Sequence, residues 1–192
     1  LLALQEKEKR TIVFISHDLD EAMRIGDRIA IMEGGLVVQV GKPDEILKNP
    51  ANEYVRSFFR GVDVSSVISV GDIASRHQVT IVDREGKVRS AREQIASADR
   101  DYAYVIDAAR RFHGVVSAES LERAMKASDP HLSHAFLPGI TPLSSDRHVG
   151  DVIGEVAAAP CPLPVVDATG RYLGVVSRAI LLGALSKETQ ND

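Results

Sequence analysis

The sequence predicts an α/β chain in two parts, a stretch of short alternating helices and strands followed by a β-α-β-β-α unit that occurs twice. The first part opens with an apolar run, residues 11–16, that leads directly into His17 and Asp18. The second part contains an internal repeat, because residues 105–121 recur as residues 165–181. A repeat at a fixed offset indicates a duplicated supersecondary unit, and it decides the fold class of this part.

The first part reads as a series of short elements. Residues 1–10 have the composition of a helix, and residues 11–16 have that of an apolar strand. Residues 19–47 then predict a helix, a strand, a Gly-Gly turn, a second strand and a helix that opens at Pro43. A last helix is predicted over residues 52–60. Its apolar stripe consists of Tyr54, Val55, Phe58 and Phe59.

An imidazole at the carboxyl end of a strand lies where open α/β sheets place their ligand chemistry. With His17 and the elements that follow it, residues 17–47 resemble the end of an ABC-transporter ATPase domain. Within this region and just beyond it, residues 26–59 resemble the ATPase subunits of importers for glycine betaine and L-proline. The resemblance implies that residues 1–61 are the C-terminal part of such a domain and that His17 is the switch histidine, which contacts the γ-phosphate of ATP. The alternative is a histidine that only caps the following helix.

Phosphoryl transfer requires several groups assembled around one transition state. The sequence has no G-x-x-x-x-G-K-[ST] loop (Walker A), no signature motif and no Walker B strand. The resemblance implies that the parent protein is an ATPase that binds ATP and Mg²⁺. This chain starts at Leu1 without Met and is predicted to be a piece of a longer protein. We expect this piece to be inactive alone.

Residues 62–77 lack clear periodicity and are predicted to be a linker with one short helix around residues 72–75. The two copies of the repeat follow, at residues 78–130 and 131–192, with an offset of 60 residues from Ser117 to Ser177. Each copy predicts a helix, a strand that ends in Asp, a tight turn, a second strand and another helix.

The turn between these two strands differs in sequence between the copies. Gly170 supplies a left-handed position in the second copy, and residues 108–110, Ala-Ala-Arg, stand in its place in the first. We therefore expect the two turns to differ in conformation.

The doubled β-α-β-β-α order, over residues 80–186, resembles a tandem pair of CBS domains. The resemblance implies two copies packed about a pseudo-two-fold axis, with two clefts that in many relatives bind adenine nucleotides. Ser117 and Ser177 each lie between a Gly-Val-Val strand and a helix, so they are predicted to be N-caps and, by resemblance, to contact a nucleotide phosphate. The ligand implied for the pair is an adenine nucleotide or a cyclic dinucleotide. Ser120 and Ile180 replace the Asp that holds the ribose in relatives, which disfavours the usual adenosine contact.

The composition excludes several classes of function. A net charge of −4, from 23 basic and 27 acidic residues that are well mixed, gives no nucleic-acid-binding face. The single cysteine, Cys161, excludes an internal disulfide and is predicted to be a small buried hydrophobe. No apolar run approaches the roughly 18 residues of a membrane span. His131 and His134, near Asp129, are assigned to a surface loop rather than to a zinc site, so no metal site is predicted.

The resemblance to osmotically regulated importers gives four arginines a predicted role in responding to anions. A surface whose attraction to anionic lipid or to a partner domain fades with salt would act as an ionic-strength sensor, and ordinary mixed surface charge is the alternative. The four are Arg110, Arg111, Arg171 and Arg178.

Together these resemblances predict the C-terminal regulatory portion of the ATPase subunit of an osmoregulated glycine betaine/L-proline importer. The expected partners are the permease subunits and a second copy of the chain, bound through its ATPase part, its CBS part or both. The expected location is the cytoplasmic face of the membrane, held there by the permease. Two alternatives remain: a subunit for another quaternary amine such as choline or carnitine, and a stand-alone CBS regulatory module that binds nucleotides.

Overall fold

The structure is a computed structural model that describes residues 11–59, 64–82, 88–128 and 130–186. It separates into two compact units, and the boundary along the chain lies between Ile68 and Ser69. Each unit is described by itself below.

The first unit is built around a two-stranded hairpin. The chain runs through α1, β1, β2, α2 and α3, which are Leu19–Ile25, Ile29–Glu33, Leu36–Gly41, Pro43–Lys48 and Glu53–Phe58. Gly34 and Gly35 both have positive φ, 57° and 84°, as a two-residue hairpin turn requires, so the Gly-Gly turn is confirmed. The core of this unit consists of Met23, Ile29, Ile31, Ile46, Val55 and Val67.

The prediction of a strand over residues 11–16 is wrong. No described strand pairs with this segment, and Val13 and Ile15 are 89% and 92% exposed. A strand exists only through its ladder of hydrogen bonds to a neighbour, so an apolar run with high β propensity stays irregular when no partner lies beside it. The helix predicted over residues 1–10 lies outside the described residues.

The last helix of this unit, α3, is shorter than predicted. It begins after Asn52, whose side chain accepts a hydrogen bond from the Val55 amide, and it ends at Phe58. Val55 is fully buried, and Tyr54 packs its ring edge-on against Phe58 at 4.9 Å. The apolar stripe therefore does face the core, although Phe58 remains exposed.

The second unit contains the duplicated β-α-β-β-α order, as predicted. The first copy consists of β3, α5, β4, β5 and α6, which are Thr80–Val82, Val88–Ser97, Tyr102–Ile106, Phe112–Ser117 and Ala118–Met125. The second consists of β6, α7, β7, β8 and α8, which are Leu143–Ser144, Val149–Ala158, Leu163–Val166, Tyr172–Val176 and Arg178–Ser186. Each copy forms a three-stranded sheet with one parallel and one antiparallel pair.

The two copies share the same irregularity in strand register. In the first, Val105 pairs with Gly114 and its neighbour Ile106 pairs with Phe112, which leaves His113 as an extra residue. In the second, Val165 pairs with Gly174 and Val166 pairs with Tyr172, at positions 60 residues further along. A bulge kept at the same place in both copies shows that the repeat extends to backbone detail.

The prediction that the two turns differ is wrong. Arg110 and Gly170 hold the same left-handed position, with φ of 65° and 79°. The amides of both residues donate to the carbonyl of the Asp that starts the turn, at 3.0 Å for Asp107 and 2.9 Å for Asp167. The hydrogen bonds of the turn therefore outweigh the cost of about 1 kcal/mol or more that a non-glycine residue incurs there.

The segment that precedes each copy packs against a strand of the other copy. Ser75, ahead of the first copy, exchanges two backbone hydrogen bonds of 2.9 Å with Val175 of the second. Leu137, ahead of the second copy, donates its amide to the carbonyl of Val115 in the first at 2.8 Å.

Glycines in β5 and β8 make room for these exchanged segments. A Cβ on Gly174 would lie 2.5 Å from the Ser75 carbonyl oxygen, and a Cβ on Gly114 would lie 2.6 Å from the Phe136 ring. The exchange also explains why residues 69–77, predicted as part of a linker, pack within the second unit. The short helix predicted there, α4, occurs at Val70–Ile73 rather than at residues 72–75, because Ser69 caps it.

Candidate functional site

The two copies meet where their strand turns lie side by side. The Phe112 amide donates to the Gly170 carbonyl at 3.2 Å, and the Tyr172 amide donates to the Arg110 carbonyl at 2.8 Å. These reciprocal bonds join the turns as a short antiparallel ladder across the pseudo-two-fold axis. The joined turns fix the relative position of the copies and of the surfaces around them, and we call this contact the junction.

An aromatic stack fills the junction. The Tyr172 ring lies between those of Tyr104 and Phe112, with centroids 5.6 and 6.3 Å away and nearly parallel planes. Tyr172 and Phe112 occupy equivalent positions in the two copies. The Tyr104 hydroxyl donates to the Pro162 carbonyl at 2.7 Å, which ties the first copy to the loop before β7. The sequence does not reveal this stack, because it depends on how the two sheets face each other.

The phenol groups of the stack differ in their surroundings. Burial raises the pKa of Tyr104 and of Tyr172 well above the usual value, so both remain neutral at any physiological pH. Tyr172 is only 2% exposed, and its hydroxyl has no hydrogen-bond partner among the described residues. Cys161 is buried in the same cluster, as predicted, and burial raises the pKa of its thiol.

Charged side chains surround the outside of the junction. Arg111 and Arg171 lie directly opposite each other in the joined ladder, and both are exposed. The carboxylate of Asp107 accepts a hydrogen bond from the Arg111 amide at 2.8 Å, and that of Asp167 accepts one from the Arg171 amide at 3.0 Å. The structure thus brings together three of the four arginines singled out in the sequence, because exposed Arg110 lies in the same turn as Arg111.

Hydrogen bonds lower the pKa values of both turn carboxyls. The Arg111 amide is the largest cause of the lowered pKa of Asp107, and the Thr169 hydroxyl is the largest cause for Asp167. Both groups are therefore ionised at neutral pH. Their carboxylates offset part of the positive charge of the arginines.

Ser117 and Ser177 are N-caps, as predicted. The Ser117 hydroxyl oxygen accepts from the Ser120 amide at 3.0 Å, and that of Ser177 accepts from the Ile180 amide at 3.2 Å. Among the described residues no acceptor is seen for the hydrogen of either hydroxyl, so each can donate to a ligand. The two serines lie at equivalent places in separate copies, so they define two sites rather than one.

The residues three positions after these serines offer nothing to a ribose. The buried Ser120 hydroxyl donates to the Ser117 carbonyl and accepts from the Ser117 amide, so it is fully committed. Ile180 is half-buried and packs against the junction cluster. Neither residue can therefore hold the ribose hydroxyls as the Asp of the adenosine-binding pattern does.

Arg178 lies apart from the other arginines. It opens α8, and its guanidinium donates to the Ala159 carbonyl, just past the end of α7, at 3.0 Å. In the sequence it directly follows the Ser177 cap.

His17 lies in the first unit, at an exposed corner before α1. The interpretation that His17 caps this helix is wrong, because the Asp18 carboxylate accepts the hydrogen bond from the Glu21 amide at 3.1 Å. The Ser16 hydroxyl also accepts from the Asp18 amide and donates to the Glu21 carboxylate. The imidazole is thereby left to solvent on a fixed backbone.

The paired histidines take local roles. His131 precedes a 3₁₀ turn, Leu132–Ala135, and its Nδ1 lies 2.8 Å from the Ser133 hydroxyl. Among the described residues no cluster of three or more His, Cys, Asp or Glu side chains is arranged to hold a metal, and Asp129 lies outside them. Within the same residues no helix has the length and apolar character needed to cross a bilayer.

Two β-α-β-β-α units joined turn to turn, with exchanged leading segments, define a tandem CBS-domain pair. Solved structures support this class at the level of fold. The structure of OpuCA from Staphylococcus aureus superposes on 60% of this chain and on 97% of the OpuCA chain, with a TM-score of 0.51 and 17% sequence identity. The Arabidopsis thaliana CBS-pair protein CBSX2 in complex with AMP matches 64% and 98% with a TM-score of 0.54 and 22% identity. No family model matches the chain.

Sequence similarity narrows the class. Over its full length the chain is 48% identical to ProV, the ATP-binding protein of the glycine betaine/proline betaine transport system of Salmonella typhimurium. The chain is thus similar in sequence to ProV, and it spans about half, 48%, of the length of that relative.

Proposed function

We propose that this chain is the C-terminal regulatory portion of the ATPase subunit of an osmoregulated ABC importer for glycine betaine and L-proline, and that its CBS pair gates ATP-driven uptake. The observation that carries the proposal is the 48% identity to ProV across both units of the chain. Either unit alone would support a weaker statement, since CBS pairs occur with many functions. The subunit would act at the inner face of the membrane, through permease partners and as a dimer.

The relatives favour glycine betaine over other quaternary amines as the transported solute. The choline transport ATP-binding protein OpuBA of Bacillus subtilis is 34% identical to this chain, against 48% for ProV. Uptake of radiolabelled glycine betaine, choline and carnitine by cells that carry the complete operon tests this choice. Uptake of choline or carnitine without betaine would contradict it.

In the complete subunit, His17 would contact the γ-phosphate of ATP bound with Mg²⁺. Its exposed position on a backbone held by Ser16 and Asp18 supports this role, since a phosphate contact needs a fixed donor that solvent and ligand can reach. ATP supplies the phosphoryl group and Mg²⁺ neutralises its charge; the protein residue contributes position and one hydrogen bond. The chain alone has no phosphate-binding loop, so it should not hydrolyse ATP.

His17→Ala in the complete subunit tests this role. We expect ATP hydrolysis to fall by about 100-fold or more, while the subunit still binds a nucleotide, because the lost contact matters most in the transition state. Asn52→Ala, which removes the cap of α3 in the same unit, is the matched control and should lower the free energy of unfolding but leave the hydrolysis rate nearly unchanged. Full turnover in His17→Ala would refute the assignment.

The CBS pair would bind an adenine nucleotide or a cyclic dinucleotide. CBSX2, which shares the fold, is titled as a complex with AMP. The Ser117 and Ser177 hydroxyls, each with a free hydrogen at a helix start, would donate to phosphate oxygens, and Arg178 would add charge at the second site. Ser120 and Ile180 disfavour a ribose contact of the usual kind, so phosphate would contribute more to affinity than adenosine does.

Calorimetry of the chain with ATP, AMP and cyclic di-AMP tests the ligand. We expect binding that weakens in Ser177→Ala, with Ser117→Ala as the comparison for the other copy. If none of the three ligands releases heat, the CBS pair does not bind nucleotides, and gating by ionic strength through Arg110, Arg111 and Arg171 would be the remaining form of the proposal.

A further inference from the structure

Two arginines lie opposite each other at the middle of the junction. Arg111 of the first copy pairs with Arg171 of the second, and these positions are equivalent in the repeat. The backbone hydrogen bonds of the ladder, at 3.2 and 2.8 Å, join the residues on either side, so the arginines form a non-hydrogen-bonded pair whose Cα atoms are about 4.5 Å apart. Arg110 has no such counterpart, because Gly170 stands at its position in the second copy. The feature that both copies share is therefore the pair of Arg111 and Arg171.

The side chains of this pair lie on the outer face of the junction. Successive residues of a strand point to opposite faces, and the following residues, Phe112 and Tyr172, belong to the aromatic stack inside. Arg111 and Arg171 therefore point away from the stack, and both are exposed. Because the two positions are equivalent, the pseudo-two-fold axis passes between them, and each copy contributes one arginine beside the axis.

The carboxylates of the two turns are occupied by other donors. Asp107 accepts a hydrogen bond from a backbone amide of its own turn at 2.8 Å, and Nε2 of His113 lies 3.6 Å from its second oxygen. Asp167 accepts from the Thr169 hydroxyl at 2.6 Å and from two amides of its own turn. Within the part of the chain that the structure describes, neither guanidinium of the pair forms an ion pair or donates a hydrogen bond.

An unpartnered pair of this kind has a direct electrostatic consequence. Like charges that lie directly opposite each other in a ladder destabilise it, and an anion between them replaces the repulsion by two attractions. Each guanidinium is a planar fork of donors that matches a pair of phosphate oxygens. A tetrahedral phosphate has two such pairs of oxygens related by a two-fold axis, whereas a carboxylate has only one. Two forks on opposite sides of an axis therefore favour phosphate.

We propose that Arg111 and Arg171 form a binding site for one soluble phosphate ion, held on the pseudo-two-fold axis with one guanidinium on each side. The site is additional to the Ser117 and Ser177 clefts of the proposed function, and it occurs once per chain where the clefts occur twice. Because each copy supplies one arginine, the bound ion links the two copies at the junction.

NMR spectroscopy of the arginine Nε–H groups tests the site in the whole chain. Inorganic phosphate replaces sodium chloride at constant ionic strength during the titration. We expect two Nε–H signals, identified by their absence in Arg111→Gln and in Arg171→Gln, to shift together and to saturate with one dissociation constant. Loss of either arginine removes one charge-assisted contact and should raise this constant by about tenfold or more.

A double variant, Arg89→Gln with Arg123→Gln, is the matched control. It removes two exposed arginines from helices of the first copy, so it lowers the net charge by the same amount as loss of the pair and should leave the dissociation constant unchanged. Signals that shift without saturation, or equal constants in the wild type and Arg111→Gln, would overturn the proposal. Phosphate that bound only at the serine clefts would leave both signals in place and would overturn it as well.

Lipid headgroups carry the same chemical group, and a second measurement separates the two sources. Two arginines contribute only about 1 kcal/mol each at an anionic surface, too little to hold a folded chain on a membrane. We therefore expect no cosedimentation with phosphatidylcholine vesicles that contain phosphatidic acid. Cosedimentation that Arg111→Gln abolishes would overturn the assignment to a soluble ion. Neither measurement involves transport or nucleotides, so failure of this proposal and failure of the proposed function are distinguishable.

Discussion

Replacement of Tyr172 by Phe should stabilise the protein. The ring is 2% exposed and stacked on two aromatic neighbours, and phenylalanine keeps every one of these contacts. What disappears is a buried hydroxyl without a hydrogen-bond partner among the described residues, a group that costs about 1–3 kcal/mol to desolvate. The equivalent residue of the first copy, Phe112, shows that the fold accepts phenylalanine at this place. We therefore expect a gain of about 1–2 kcal/mol in the free energy of unfolding.

Tyr104→Phe is the matched control. This hydroxyl donates to the Pro162 carbonyl at 2.7 Å, so its removal deletes a real bond and should cost about 0.5–1.5 kcal/mol. Urea unfolding of the wild type and both variants, followed by circular dichroism, measures the two changes with opposite signs. A loss of 1 kcal/mol or so in Tyr172→Phe would refute the reasoning, since it would mean that the hydroxyl is hydrogen-bonded to a buried water or to a ligand.

Three further predictions concern the turns and the exchanged segment. Gly170→Ala should lower the free energy of unfolding in urea by about 1 kcal/mol, and Arg110→Gly should raise it by a smaller amount, because both residues have positive φ. A lower free energy of unfolding in Arg110→Gly would contradict the equivalence of the turns. Gly174→Ala should cost about 3 kcal/mol or more, because its Cβ would meet the Ser75 carbonyl oxygen at 2.5 Å; a neutral result would show that the segment is not held there. The folded state depresses the pKa of Asp167 below its usual 3.8, so its stabilisation is present above that pH and is lost as pH falls through the lower folded value. Asp167→Asn should therefore flatten the fall of unfolding free energy below about pH 4, and an unchanged slope would contradict the assignment.

The repeat was the part of the fold most open to sequence reasoning. The offset of 60 residues fixes which strands and helices correspond from β4 and β7 onward, and the structure keeps that correspondence down to the bulge beside Gly114 and Gly174. Helix caps were equally predictable at Ser117 and Ser177, because a cap depends on residues only three positions apart.

Features that depend on distant partners were beyond such reasoning. The apolar run at residues 11–16 has the composition of a strand, but pairing is a property of the neighbour as well as of the segment. Arg110 occupies a glycine-like conformation because hydrogen bonds across the junction hold its turn in place. The exchange of Ser75 and Leu137 between the copies has no local signal, since it joins residues about a hundred or about twenty positions apart in the chain.

The salt dependence of ATP hydrolysis by the reconstituted importer tests the central claim most directly. The complete subunit and a variant without residues 69–192 would be compared with the permease in liposomes of fixed composition. We expect both to hydrolyse ATP, and only the complete subunit to change its rate as internal ionic strength rises. If the truncated subunit responds to salt as the complete one does, the CBS pair does not gate the importer.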